Sequence, residues 1–462
     1  MGRVVSLEVP EPIFFASAER LGPNVFRAET PQSGRGDMNT MNDHENGEQA
    51  PAPAGDPVAP LVWKFGGTSV ADHDRLRVVA ERMVAARRSG RGVVAVLSAM
   101  GKSTDELSAM AYQMSARPPL RELDALLSVG ESISVALASM AIAELGGHAV
   151  SLNGPQAGIW TDDRHGNARL REIRPGRIHD ALAQGSIVLV TGFQGVSAEG
   201  DVTTLGRGGS DASAVAMAAA LGASECEIFT DVPAVFTADP RVVPDARPLA
   251  TIRHEEMLEM AEAGSGVMQS RSVELAVAHG IDIHLRSSFS DEPGTWIRRH
   301  EHGGFEGNAT REVAGIAHRR HESLYAVKDI DMTSVATALA GRGIAMGAVL
   351  PDIAGFRFTA PGVEGSEVSA ALDGVGASVK VDEELGSVSV VSMGIARRPD
   401  IVVRALAALD EAGIEARLVT TTPGRVSVLV ESPLVDDVVR LLHATFIPAS
   451  AASTKALVSV AG

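Results

Sequence analysis

Residues 93–97 read Val-Val-Ala-Val-Leu, an unbroken apolar run that is β-branched at three positions. So short a run, apolar on both faces, fits a strand covered by helices on both sides, as in a parallel sheet. The same signal returns at Ile187-Val188-Leu189-Val190, and a third strand reads at Ile281-Asp282-Ile283. Ahead of the first run, residues 72–89 put Leu76, Val79, Ala80, Met83 and Val84 on one helical stripe, and Gly90 supplies a stop. The alternation continues for about 230 residues and predicts an α/β fold whose mostly parallel sheet is layered with helices on both faces.

Composition narrows the function classes. The 462 residues are about three times a typical domain, so two or three domains are expected. With 45% hydrophobic and 21% charged residues the chain can bury substantial cores. A net charge of −17 repels phosphate backbones, which disfavours nucleic acid as a partner. Cys226 is the single cysteine, so neither an internal disulfide nor a zinc cluster can be built on it, and a cytoplasmic setting is expected. No apolar run is read as approaching the ~18–20 residues of a membrane span.

Residues 1–60 carry 8 of the 23 prolines and 9 acids against 4 bases, and read as a disordered leader. Trp296–Gly307, rich in Arg, His and Gly, reads as a linker, with His300, His302, His318 and His321 as solvated side chains rather than metal ligands. Beyond it, Ala338-Leu339 followed by Gly343-Ile344 recurs 70 residues later as Ala408-Leu409 followed by Gly413-Ile414. Strands at Leu324–Val327 and Ser387–Val391 precede the two copies, which predicts a duplicated βαββαβ unit.

Four segments carry chemistry. In Lys64-Phe65-Gly66-Gly67-Thr68-Ser69 a strand delivers a lysine, and two glycines let backbone N–H groups approach an anion. In Thr203–Asp211 a glycine-rich loop offers Arg207, Gly208 and Gly209 before an alanine-rich helix over 212–221, which Ser210 or Asp211 would cap. Phe229-Thr230-Asp231 through Val235-Phe236-Thr237-Ala238-Asp239-Pro240-Arg241 reads as a strand ending in a polar loop suited to a nucleotide edge, or as a plain connection. Ser98-Ala99-Met100-Gly101 and Glu131 complete the set. Neither a Walker A pattern nor a Gly-x-Gly-x-x-Gly turn after a strand occurs, and no metal cluster is read. Phosphoryl transfer needs positive charge, backbone donors and positioning, which this inventory supplies.

Taken together these segments resemble aspartate kinase, within the amino-acid kinase superfamily. The resemblance rests on Lys64–Ser69, Arg164-His165-Gly166-Asn167-Ala168, Gly192-Phe193-Gln194-Gly195, Thr204–Asp211, Thr237–Arg241, Glu255–Met260 and Arg271-Ser272-Val273-Glu274, and spans about Val62 to Leu442. It implies transfer of the ATP γ-phosphoryl group, with Mg²⁺, to the β-carboxylate of L-aspartate. It also implies a kinase domain over 61–300, ACT-like ferredoxin units over 313–383 and 384–446, a flexible tail over 447–462, and a homodimer or higher homo-oligomer. By position, Lys64 and Asp211 would be catalytic. Thr68, Ser98, Glu131, Arg207, Gly208, Gly209 and Ser210 would hold aspartate, Glu131 taking its ammonium group and Arg207 its α-carboxylate. Lys64–Gly67, Phe229–Asp231 and Val235–Arg241 would line the nucleotide.

The chain departs from the family pattern at Gly266, where a lysine near the ATP phosphates is usual, and at Ala234, usually glycine. Asp329-Ile330-Asp331-Met332-Thr333 stands in place of a glycine-rich effector loop, and Pro351-Asp352 in place of a Gln-Asn pair. The expectations are weaker handling of ATP and altered feedback by lysine and threonine. A kinase for another amino-acid carboxylate and a weakened kinase-like regulatory subunit are the alternatives.

Overall fold

The computed structural model describes residues 59–299, 311–352, 355–363, 365–373, 375–376 and 378–447. The leader up to residue 58, His300 and His302, and the tail from residue 448 lie outside the described residues.

The first half of the chain runs β1 (Leu61–Phe65), α1 (His73–Arg88), β2 (Val93–Leu97), α2 (Ser103–Met114), α3 (Leu120–Leu127), α4 (Val129–Glu144) and β3 (Ala149–Leu152). It continues through β4 (Ile159–Thr161), β5 (Leu170–Ile173), α5 (Gly176–Ala183), β6 (Ile187–Thr191), β7 (Gln194–Val196), β8 (Val202–Thr204) and α6 (Gly209–Ala220). Then come β9 (Glu225–Thr230), β10 (Thr251–Arg253), α7 (His254–Glu262), α8 (Ser270–His279), β11 (Asp282–Ser287) and β12 (Thr295–Arg298).

Eight of these strands form one sheet in the order β10-β12-β11-β9-β1-β2-β6-β3, parallel except where β12 meets β11. β2 is buried at all five residues, as its composition requires. The α1 stripe packs with Trp63, Phe65 and Phe229 on one face of the sheet, while Val62 and Ile228 face the cluster built on α6. Asp72 caps α1 by accepting from Arg75 N–H. A smaller sheet, β5-β4-β7-β8, projects beside the large one.

Two expectations need correction here. Leu120–Glu144 is a helical stretch long and apolar enough to cross a membrane by length and composition. It packs one face through α4 on α1, β3 and β6 and carries the buried Asp124 and Glu131 there, while Leu120, Val129, Ile133 and Met140 stay exposed. The linker expected from Trp296 begins inside β12 instead, where Trp296 stacks on His284 at 3.9 Å and lies under the Arg298 guanidinium at 3.7 Å. His318 and His321 likewise belong to a strand, and burial lowers the pKa of His318.

The second half runs β13 (Gly315–Lys328), α9 (Met332–Ala340), β14 (Val349–Asp352), β15 (Gly355–Thr359), α10 (Gly365–Leu372) and β16 (Ser378–Val391). It ends with α11 (Pro399–Glu411), β17 (Leu418–Thr421), β18 (Arg425–Glu431) and α12 (Val435–Phe446). Its six strands make one antiparallel sheet, β14-β15-β13-β16-β18-β17. The repeats are interleaved rather than simply consecutive. Residues 324–328 of β13 pair with 378–382 of β16, whereas residues 315–319 pair with 387–391. The start of β13 therefore supplies the fourth strand of the second repeat, and β13 changes register between Arg319 and Leu324 where it passes from one to the other.

Candidate active site

The chain enters the large sheet at its centre with β1, moves outward through β2 and β6, and returns on the other side of β1 with β9. Such a reversal leaves a crevice at the carboxyl ends of the central strands. Backbone bonds stitch the turns around that crevice: Gly66 N–H donates to Phe229 C=O at 3.0 Å, Ser98 N–H to Phe65 C=O at 3.1 Å and Gly192 N–H to Leu97 C=O at 3.0 Å. Gly101 N–H reaches Gly67 C=O at 3.0 Å, which brings the Ser98–Gly101 turn onto the first glycine pair.

Side-chain alternation along β1 decides where the lysine goes. Trp63 and Phe65 point toward α1, so Val62 and Lys64 point toward α6. There Lys64 Nζ meets Asp211 Oδ1 at 2.5 Å, with side-chain exposures of 11% and 12%. Asp211 sits in the first turn of α6, whose positive end favours an anion. The expected cap is different: neither Ser210 nor Asp211 caps α6, because Gly208 occupies the cap position with φ 69°. Ser210 instead lies against Gly192, where an added Cβ would stand 2.6 Å from the serine Oγ. Only glycine lets the end of β6 approach α6 this closely.

Glu131 is the third residue of α4 and is 3% exposed. Burial pushes its carboxyl up to about 7, and Ala99 N–H and the Gln194 amide, which favour the anion, offset only part of this. Its Oε2 has no hydrogen-bond partner. A buried carboxylate oxygen left open is a receptor for a donor that arrives from outside, and an ammonium group satisfies both its charge and its lone pair. Arg207 is exposed and makes no ion pair among the described residues, and it stands between Gly206 and Gly208 at φ 75° and 69°. Thr68 is exposed with its carbonyl accepting from Arg75 at 2.7 Å, and Ser98 is half-buried at the end of β2.

The polar loop after β9 divides. The Phe229 ring is buried against Phe65, stacked at 4.8 Å, and Thr230 Oγ1 donates to the exposed Asp231 at 3.1 Å. Phe236 is half-buried, Pro240 exposed, and Asp239 pairs with Arg241 at 2.8 Å, which holds the Asp239 carboxyl below its usual range. Val235, Thr237 and Ala238 are buried, so their side chains face the interior and only their backbone is left for a ligand. Thr237 Oγ1 lies 3.0 Å from His443 Nε2 on α12, its carbonyl accepts from Ile316 N–H at 2.7 Å, and Ala238 packs in the core of the second repeat. This stretch ties the large sheet to the six-stranded antiparallel one.

The sequence reading missed Asp124 and Arg271 as site-shaping groups. Asp124 is fully buried on α3, and its carboxylate collects Thr204 Oγ1 at 2.5 Å, Gly166 N–H at 3.0 Å and His165 Nδ1 at 2.8 Å. Arg271 on α8 donates to Leu205 C=O at 2.9 Å and Ala168 C=O at 2.7 Å, and burial lowers its pKa. The signal for Asp124 was a lone acid among Leu120, Leu123 and Leu127 on one helical face. For Arg271 there was none outside the resemblance.

Among the described residues no group of three or more His, Cys, Asp or Glu side chains could hold a metal ion. A divalent cation held mainly by nucleotide phosphates and water is compatible with that donor set.

The model of the amino acid kinase family matches residues 60–287. Over 409 residues the chain is 44% identical to an aspartokinase of Mycolicibacterium smegmatis, covering 84% of this chain and 96% of the relative. It is 42% identical over the same length to an aspartokinase of Corynebacterium glutamicum, with the same two coverages. Aspartokinase III of E. coli, solved with aspartate and ADP, superposes with a TM-score of 0.71 at 23% identity over 84% of this chain and 99% of that one. The aspartate kinase of Clostridium acetobutylicum shares the fold at a TM-score of 0.62, 19% identity, 84% of this chain and 100% of that one.

Proposed function

This chain belongs to the aspartokinase family of amino acid kinases, and from that premise we propose how its residues divide the work of moving the ATP γ-phosphoryl group to the β-carboxylate of L-aspartate. The reaction joins two anions, so the site must neutralise charge and hold both partners in line. The observation that carries the division is the Lys64–Asp211 contact at the carboxyl end of β1, together with the open oxygen of Glu131, whose carboxylate accepts from Ala99 N–H in the turn after β2.

Lys64 balances the charge of the transferring phosphoryl group, and Asp211 keeps its ammonium aimed. The N–H of Gly67 approaches the phosphates, while Gly66, whose own N–H is held by Phe229 C=O, lets the turn pass close to the end of β9. Glu131 takes the substrate ammonium and Arg207 its α-carboxylate, with Thr68, Ser98, Gly208, Gly209 and Ser210 closing around them. Thr230, Asp231, Phe236, Asp239, Pro240 and Arg241, with the backbone of Phe229, Val235, Thr237 and Ala238, border the nucleotide. Mg²⁺, bound through the nucleotide, would screen the phosphate charges when present. We also place assembly into a homodimer or larger homo-oligomer on the six-stranded sheet, whose edge strands β14 and β17 have one neighbour each among the described residues. The direct test is ATP-dependent formation of aspartyl hydroxamate by the purified chain, and absence of product would overturn the reading.

Gly266, where the family resemblance implies a lysine, is exposed and has φ 71° with no atom nearer than 4.0 Å to an added Cβ. There is room for a side chain, at about 1–2 kcal/mol for holding a non-glycine residue in the left-handed region. One restored phosphate-facing charge is worth on the order of 2–4 kcal/mol. Gly266→Lys should therefore raise kcat/KM for ATP by about tenfold. No gain in initial-rate kinetics would mean that this charge is supplied elsewhere.

The turn after β13 is closed on itself: Asp329 has φ 62°, and Asp331 caps α9 by accepting from Ser334 N–H at 2.9 Å and Ser334 Oγ at 2.6 Å. With the Asp331 carboxylate engaged by Ser334, this turn has one acceptor fewer to offer an amino-acid effector. Lysine plus threonine at millimolar concentration should inhibit the hydroxamate reaction by less than twofold, and strong joint inhibition would show that an effector site survives.

A further inference from the structure

The arginine that receives the α-carboxylate has no orientation of its own. Arg207 is flanked by two glycines in left-handed conformation and touches no carboxylate among the described residues. A glycine-flanked residue in a loop samples many backbone states, and fixing them on binding costs affinity. Something outside the loop must hold it.

The structure supplies a brace with three rungs. Ala168 N–H donates to Thr204 C=O at 2.8 Å and joins the Arg164–Ala168 turn to the end of β8. On one side of that bond the Asp124 carboxylate collects Gly166 N–H, His165 Nδ1 and Thr204 Oγ1. On the other side Arg271 donates to Ala168 C=O and Leu205 C=O. An anion and a cation thus grip the same two segments from opposite ends, one through donors and the other through acceptors. The segments are pressed together beyond this: a Cβ at Gly206 would stand 3.0 Å from Asn167 Oδ1. Asp124 is 0% exposed, and α3 has no other described duty that requires a buried charge.

We propose that Asp124 is a positioning residue that fixes Arg207, and through it the selectivity for an acceptor bearing an α-carboxylate, by locking the Arg164–Ala168 turn to Thr204. This rests on the assignment of Arg207 to the α-carboxylate. Asp124→Asn keeps the shape but leaves one acceptor oxygen where the carboxylate has two, so Gly166 N–H, Thr204 Oγ1 and His165 Nδ1, now spread over both oxygens, can no longer all be received. A displacement of about 1 Å at a group that holds substrate can cost up to a hundredfold.

The experiment compares Asp124→Asn, Thr204→Val, Thr204→Ser and Arg207→Ala in initial-rate kinetics. KM for aspartate should rise about tenfold or more in Asp124→Asn and Thr204→Val, while KM for ATP moves less than threefold and Thr204→Ser stays near the parent. The discriminating probe is 3-aminopropanoate, which keeps the ammonium and the reacting carboxylate but lacks the α-carboxylate. Its competitive Ki should change less than twofold in these variants. A merely structural lesion would raise that Ki and the ATP KM together with the aspartate KM, and that pattern overturns the proposal. If Asp124→Asn does not fold, the Thr204→Val and Thr204→Ser pair decides by the same readouts. An unchanged KM for aspartate in Arg207→Ala would overturn the α-carboxylate assignment itself. A raised KM there with Asp124→Asn and Thr204→Val unaffected overturns the brace alone.

Discussion

Lys64→Met is expected to lower kcat by roughly 10²–10³-fold, the loss that follows removal of a single preorganised donor from a site of developing charge. Methionine approximates the length of the lysine stem, so the loss reports the ammonium rather than the packing. The same substitution strips Asp211 of its partner at 2.5 Å in a place where both side chains are nearly buried. An uncompensated buried carboxylate costs about 3–5 kcal/mol of stability, so the variant should also melt earlier. The two effects separate in the pair. Lys64→Met with Asp211→Asn removes both charges and should regain most of the melting temperature while kcat stays down. Hydroxamate rates and thermal melts on the three variants check this. A double variant that regains activity along with stability would mean that Lys64 serves the fold and not the phosphoryl group.

What could be read from residues alone was whatever chemistry is local in the chain. The run at 93–97 declares a doubly covered strand by itself, and the α1 stripe and the two glycine-rich loops need only a window of ten residues or so. Lys64 and Asp211 were both in view, but that they touch follows from strand alternation combined with the parallel neighbours of β1. Asp124 stands as a lone acid on an apolar face, but what it holds was not legible because its partners lie 41 to 80 residues downstream. The contact of the Thr237 hydroxyl was out of view for the same reason, since the His443 ring beside it is 206 residues away. The interleaving of the two repeats is invisible to a pattern search. It depends on which half of β13 meets which half of β16, a pairing that no local pattern states. Capping of α6 failed in a different way. Ser210 and Asp211 are good capping residues by type, yet close contact with Gly192 and the pull of Lys64 claim them for other partners.

The acceptor side of the reaction should carry a pH signature that Glu131 alone explains. Its carboxyl rises to about 7 in the free protein from 4.5 because the folded chain buries it, with Oε2 left open. Between those two pH values the folded state binds a proton that the unfolded chain has released, so stability from this group is full at low pH and is lost as pH rises through 7. Aspartate reverses the preference, since its ammonium group pairs only with the carboxylate. Binding must therefore improve as the proton leaves, and KM for aspartate should fall about tenfold between pH 6 and pH 8 while KM for ATP stays level. Glu131→Gln removes the charge and keeps the volume. It should flatten that profile and raise KM for aspartate by roughly thirtyfold or more, the loss of about 2 kcal/mol or more expected when one member of a buried charge pair is neutralised. The free variant should at the same time melt higher than the parent at pH 8, because no unpaired anion is then buried, and should lose the difference near pH 4.5. A KM profile that keeps its slope in Glu131→Gln would place the titrating group elsewhere. The opposite signs, binding gaining with pH while the empty protein loses stability, follow only if one carboxyl is both buried in the fold and paired by the substrate.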